Sequence, residues 1–269
     1  MKKIVCLFVA VLMMLTLSAC GSKKAQDGAT EKLVCGVTIY EPMNYLDANG
    51  KWTGFDTEFA QLVGEKLGME VEFQEIKWEN KYMELEAGTI TCIWNGFTAN
   101  ASDDGKARGE IVDMSYSYML NQQCVVVRAD NLANFTSAEA LQGKSVAAEK
   151  GSAGESFALE AIGADGQMID SAAQIDTFLE VKSGAADCAV VDMLLAKEIA
   201  GSGNYADLVI ADITLDSEVY AVGFVKGNAL RDKVNDAMKA LFDEGKLQEL
   251  AKKYGLENSL TLDTSFTGK

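Results

Sequence analysis

Residues 33–39 form an apolar run that predicts a first strand, and the Asp47-Ala48-Asn49-Gly50 stretch after it reads as a turn. Beyond Gly54-Phe55, the residues Phe59, Leu62, Val63 and Leu67 recur at helical spacing. Asp56 is suited to N-cap this helix and Gly68 to close it. Met69, Val71 and Phe73 then alternate with charged residues, the pattern of a second strand. Strand, helix and strand in so short a span predict a right-handed crossover and hence a parallel sheet.

A short helix over 81–87, Gly88 and a strand over 90–94 follow, and the same order returns later in the chain. There a helix over 173–182 leads to Gly184, a strand over 187–191 and Asp192. Placing Gly88 over Gly184 puts Cys92 over Cys188 and Gly96 over Asp192. The match predicts two lobes built alike, each presenting a residue at the carboxyl end of a parallel strand, the edge where open α/β sheets bind ligands. The extended segments 122–128 and 219–225 predict two hinge strands, the chain entering lobe 2 near Val126 and returning near Ser217. The expected division is lobe 1 at 32–125 and 218–257, lobe 2 at 126–217, and a loose C-terminal tail at 258–269. Helices over 230–244 and 247–254 complete lobe 1.

The N-terminus has a different pattern. Lys2 and Lys3 precede an uncharged apolar run over 4–15, and Leu17-Ser18-Ala19-Cys20 follows. This predicts a secretory signal peptide at 1–19, since the run is too short for a membrane span of ~20 residues. Leu-Ser-Ala-Cys resembles the lipobox of bacterial lipoproteins. The resemblance implies cleavage before Cys20, acylation of that cysteine, and an extracytoplasmic protein anchored to the cell membrane by lipid. The alternative is an ordinary signal peptide with an incidental cysteine. Residues 20–31 are polar and read as a flexible tether.

Charge and composition narrow the possible chemistry. With 40 acidic against 24 basic residues and a net charge of −16, the chain is unsuited to nucleic acid or to broad attraction by anionic lipid. It contains no histidine, which excludes Ser-His and Cys-His catalytic pairs and His-ligated metals within this chain. Apart from Cys6 and Cys20, the cysteines are Cys35, Cys92, Cys124 and Cys188, all in apolar strand-like segments without CxxC spacing. They read as buried free thiols in preference to disulfides. No metal and no cofactor are expected.

Several segments then match in order: Tyr40-Glu41-Pro42, Gly54-Phe55-Asp56, Lys66-Leu67-Gly68, Gly96-Phe97-Thr98, Gly151-Ser152-Ala153-Gly154 and Glu244-Gly245-Lys246-Leu247. Together they resemble the polar amino-acid solute-binding proteins of ABC importers. The resemblance implies a two-lobed, periplasmic-binding-protein-like (type II) α/β fold with two hinge strands. It implies a monomer that binds a small-molecule amino acid and partners an ABC permease and ATPase. It further implies that the rings of Tyr40 and Trp78 flank the ligand side chain and that Gly96 and Thr98 contact its backbone. Arg108 would pair with the α-carboxylate, Asp192 would hold the α-ammonium, and Gly151 and Ser152 would add donors.

A zwitterion needs a cation and an anion fixed at separate points, which Arg and Asp supply. Each position also has a structural alternative: core for Trp78, a helix cap for Asp192 or Ser152, a solvated loop for Arg108. Arg108 also departs from the family's spacing, because Ala101 to Lys106 intrudes before it. Glu41, Asn95, Gln122 and Glu149 are further polar candidates for the ligand side chain. The competing functions are a cyclohexadienyl dehydratase-like lyase on the same scaffold, with Glu41 or Glu149 as general acid, and a surface amino-acid sensor.

Overall fold

Alternation along the first segment becomes a strand, Lys32–Val37, with Leu33, Cys35 and Val37 fully buried. The computed structural model describes residues 31–266 and 268, so the signal peptide and Cys20 lie outside the described residues. Helix Phe55–Leu67 follows and buries Phe55, Phe59, Ala60 and Val63. It ends at Gly68 in the left-handed conformation. Strand Glu70–Glu75 then pairs parallel with the first, Cys35 opposite Phe73. The expected crossover unit is present.

The helix start differs from expectation. Gly54 is the N-cap, at φ 115, where an added Cβ would lie 2.3 Å from the Met43 carbonyl oxygen. Asp56 lies inside the helix and is fully buried. Its Oδ2 accepts from the Gly96 N–H at 2.7 Å and from the Tyr118 hydroxyl at 2.9 Å. The carboxylate that looked like a local cap therefore ties the helix to the segment carrying the site.

The first sheet runs, in spatial order, Glu70–Glu75, Lys32–Val37, Cys92–Ile93, Gly223–Phe224, Asp113–Met114. The second runs Gln167–Ser171, Ser145–Glu149, Cys188–Asp192, Ser117–Arg128, Leu208–Ile210. The internal repeat holds: Gly88 and Gly184 both close helices in the left-handed conformation. Each following strand then pairs parallel with the first strand of its unit, Cys92 beside Cys35 and Cys188 beside Val146. All four described cysteines are buried free thiols.

The longest strand of the second sheet, Ser117–Arg128, has Ser217–Tyr220 antiparallel to its first half, Ser217 opposite Gln122 and Tyr220 opposite Met119. Its second half pairs with Cys188–Asp192. The returning segment is not one strand. After Tyr220 it changes partners, Val222 N–H donating to Ser115 Oγ, before Gly223–Phe224 joins the first sheet. The expected loose tail is also corrected. Leu260–Asp263 is a strand on Ser117–Arg128, Leu260 opposite Met119, because Leu260 and Leu262 pack against the core.

Helices Leu230–Asp243 and Lys246–Lys253 cover the first sheet, joined through Gly245 at φ 77. The core here is aromatic: the Phe59 ring meets Trp94 edge-on at 5.2 Å and Tyr118 at 5.4 Å. Each such ring contributes roughly 1.5–3 kcal/mol by leaving water. That packing fixes the strand end from which Asn95 and Gly96 emerge.

Candidate functional site

The carboxyl edges of the two sheets meet around a narrow cavity of about 10 Å³. From the first lobe come Trp78, Gly96, Thr98 and Arg108; from the second come Glu149, Ser152 and Asp192. Lys81 Nζ bridges the lobes, donating to the Gly151 carbonyl at 2.8 Å.

Arg108 reaches this cavity because the intruding residues fold away. Ser102 pairs with Ala107 and Asp103 with Lys106 in a hairpin turning at Asp104 (φ 51) and Gly105 (φ 74). Two positive φ values at Asp-Gly suit a tight hairpin turn. The chain then returns to its starting point, Arg108 N–H donating to the Ala101 carbonyl at 2.9 Å. The hairpin is thus looped out, and Arg108 is 1% exposed rather than a solvated loop residue.

The hairpin also contributes a carboxylate. Arg108 Nε and Nη2 donate to Asp103 at 3.0–3.2 Å, Nη1 donates to the Thr98 carbonyl at 3.0 Å, and Nη2 also reaches the Gly151 carbonyl at 3.5 Å. The guanidinium carbon lies 4.9 Å from the Phe97 ring centre. Tyr82 donates its hydroxyl to Asp103, and Lys81 Nζ lies 3.5 Å from the same carboxylate. Burial alone would raise the Asp103 carboxyl, but the charges of Arg108 and Lys81 hold it below its ordinary value. Lys81, buried and beside Arg108, is lowered to about 8.

Asp192 ends strand Cys188–Asp192 and precedes helix Met193–Ile199, yet its side chain makes no cap hydrogen bond. It accepts instead from the Tyr220 hydroxyl at 2.8 Å, from Gln123 Nε2 at 3.0 Å, and from the amides of Asn121 and Gln174. Glu218 shares two of these donors, Asn121 at 2.9 Å and Gln123 at 3.0 Å, and takes the Thr98 hydroxyl at 3.3 Å. Burial raises Asp192, while burial and the Asp192 charge push Glu218 up to about 7. Sequence reasoning missed Glu218, Asn121 and Gln123. The sequence carried little signal for them: Asn121-Gln122-Gln123 is a consecutive polar run at the start of one hinge segment, and Glu218 immediately precedes the other.

The remaining candidates divide. Trp78 both lines the cavity and packs edge-on against Phe97 at 5.9 Å, so its core and cavity roles coincide. Tyr40 sits one layer back, its ring against Gly96 and its hydroxyl 2.5 Å from that of Tyr220. Gly96 spends its N–H on Asp56, which leaves the carbonyl. Ser152 caps helix Ala153–Ile162, its Oγ accepting from the Glu155 N–H at 3.0 Å, while Glu155 reaches back to the Gly151 N–H at 2.6 Å. The donor expected of Gly151 is therefore spent within its own loop, and Gly151 offers its carbonyl instead. The helix begins at Ala153, so the N–H groups of Ala153 and Gly154 are the ones without an acceptor inside the helix. Glu149, at the end of strand Ser145–Glu149, is buried and pushed up to about 8 by burial and by Asp192.

Two similar α/β lobes, two hinge segments and a cavity with a cation on one wall and an anion on the other define a hinged small-molecule receptor. The profile of the bacterial extracellular solute-binding proteins, family 3, matches residues 33–257, and the chain belongs to that family. The arginine-binding extracellular protein ArtP of Bacillus subtilis (strain 168) is 29% identical over 258 residues, covering 94% of this chain and 98% of ArtP. Among solved structures, an ancestral arginine-binding protein bound to arginine matches with TM-score 0.77 at 28% identity, over 84% of this chain and 99% of that one. An ABC uptake transporter substrate binding protein from Streptococcus pneumoniae with bound histidine gives 0.76 at 30% identity, over 86% and 94%.

Proposed function

We propose that this protein is an extracytoplasmic lipoprotein that closes over one free, polar L-amino acid and delivers it to an ABC permease and ATPase, performing no chemistry itself. The observation that carries this reading is the buried Arg108 on one wall of the cavity and the buried Asp192 on the other. A zwitterion satisfies both at once, so tight binding needs both lobes. Trp78 and Thr98 complete the first wall, and Ser152 with the helix start behind it completes the second. Lobe 1 comprises 32–125 and 218–257, lobe 2 comprises 126–217, and the acylated Cys20 tethers the monomer to the membrane.

A thermal-shift and calorimetric screen of the twenty amino acids and cystine tests this. A true ligand stabilises by mass action, ~2.7 kcal/mol at a hundred times its dissociation constant. Failure of all of them to bind overturns the reading. Turnover of prephenate or arogenate would replace it with the lyase.

A further inference from the structure

Glu149 stands apart from the other carboxylates around the cavity. Asp103 is answered by Arg108, Lys81 and Tyr82, while Asp192 and Glu218 are answered by the amides of Asn121 and Gln123. Glu149 is 2% exposed and lines the cavity, yet its Oε1 has no hydrogen-bond partner. A buried carboxylate oxygen left unanswered is costly, so such a group calls for a donor from outside the protein.

The charged surroundings say which donor. Lys81, the nearby cation, donates to the Gly151 carbonyl and pairs with Asp103. Asp192 and Asp176 add negative charge, and the Thr38 hydroxyl is the neutral neighbour. Were all of them ionised, the carboxyl groups at 103, 149, 192 and 218 would outnumber the cations Lys81 and Arg108, and burial together with the Asp192 charge keeps a proton on Glu149 instead. A zwitterion held by Arg108 and Asp192 brings no net charge, whereas a second positive charge beside Glu149 would let it ionise.

We infer that Glu149 is a specificity-determining residue whose free oxygen receives a cationic side-chain terminus, so that the ligand is an amino acid with net positive charge. This rests on the amino-acid-receptor reading above. A guanidinium or ammonium donor would answer Oε1 with a charge-assisted hydrogen bond. Its arrival would also drive a proton from Glu149, whose carboxyl at about 8 is largely protonated at neutral pH.

Arginine and citrulline have nearly the same shape and differ by one charge, so they are the probes, with lysine and glutamine alongside. Calorimetry at pH 7 should show arginine binding at least about tenfold more tightly than citrulline to the wild-type protein. In Glu149→Gln that ratio should fall to within about twofold, with citrulline affinity retained. If the variant does not fold, the wild type carries the test alone. Arginine binding, compared in buffers of different ionisation enthalpy, should release more protons than citrulline binding. A neutral amino acid or cystine bound in preference to arginine and lysine, or equal proton release, overturns the inference and leaves the receptor reading standing. Binding of no amino acid at all defeats the receptor reading itself.

Discussion

Arg108 and Asp103 lie five residues apart at the two ends of one looped-out hairpin, and their side chains form a two-pronged ion pair with Nε and Nη2 at 3.0–3.2 Å from the carboxylate. The pair uses the inner edge of the guanidinium and fixes its plane. Of five N–H donors, one on Nη1 goes to the Thr98 carbonyl and the second on Nη2 faces the Gly151 carbonyl at 3.5 Å. Gly151 belongs to the opposite lobe. In the proposed open state, that Nη2 donor and the remaining Nη1 donor would be free to meet a ligand carboxylate as a fork.

Zwitterion recognition follows from this fork and from Asp192. Asp192→Asn keeps the shape and should weaken binding by roughly two to four decades, the equivalent of about 3–5 kcal/mol for a desolvated charge pair. Arg108→Met would leave the buried Asp103 with Lys81 and Tyr82 alone and destabilise the fold, so the informative variant is Arg108→Met with Asp103→Asn. An amino-acid amide should bind far worse than the acid to wild type and nearly as well as the acid to that double variant. Calorimetry on the four combinations reads the coupling. Wild-type preference for the acid in the double variant would place the carboxylate partner elsewhere.

The proposed closure should depend on a glycine. Gly151 has φ 76, and an added Cβ would lie 2.9 Å from the Glu79 Cα across the cleft. Gly151→Ala should therefore weaken ligand binding by an order of magnitude or more through steric obstruction at the lips. Small-angle scattering of the ligand-saturated variant should give a larger radius of gyration than ligand-saturated wild type. Identical radii at saturation would refute the steric account.

Stability should fall as pH rises from 5 to 8. Burial raises Asp56 to about 7, Glu149 to about 8 and Glu218 to about 7. Over that interval the native state retains protons that the unfolded chain has already lost. Each group then contributes a slope of up to about −1.4 kcal/mol per pH unit. Asp103 acts oppositely: its lowered carboxyl stabilises above the ordinary carboxylate range, and that contribution is lost as pH drops through its folded value. Urea midpoints at pH 5, 6, 7 and 8 check the sign, and Glu149→Gln should flatten the slope. A midpoint rising with pH would contradict the burial of these acids.

Lipid anchoring is testable by Cys20→Ala, motivated by Leu17-Ser18-Ala19-Cys20. Two acyl chains hold a protein on a bilayer where one is marginal. The variant should appear in the soluble fraction or as an unprocessed precursor without lipid label. Membrane-bound variant of mature size with unchanged labelling would exclude Cys20 as the anchor.

What the sequence made legible is local. Helical spacing from Phe59 to Leu67, alternation from Met69 to Phe73 and the closing glycines 68, 88 and 184 all fix neighbouring backbone, and the structure has those elements. What it hid depends on partners distant in the chain. Asp56 looked like a cap because its actual partners, Gly96 and Tyr118, are 40 and 62 residues away. The Asp104-Gly105 turn signal was present, but its flanks are polar, so the hairpin did not declare itself. Leu260-Thr261-Leu262 alternates, yet its strand forms only because Ser117–Arg128 offers an edge.

The long strand Ser117–Arg128 carries Asn121 and Gln123, which hold Asp192 and Glu218, so part of the proposed binding site lies on the proposed pivot. In a rotation about that axis, atoms near it travel least and atoms at the cleft mouth travel farthest. Asp192, hydrogen-bonded to that strand, would therefore move little as the mouth widens or narrows, while the Lys81–Gly151 contact between the lobes would part. In such a receptor a solute would be caught first on the stationary side and judged last at the moving rim, where a short lever near the axis turns a small misfit into a large gap.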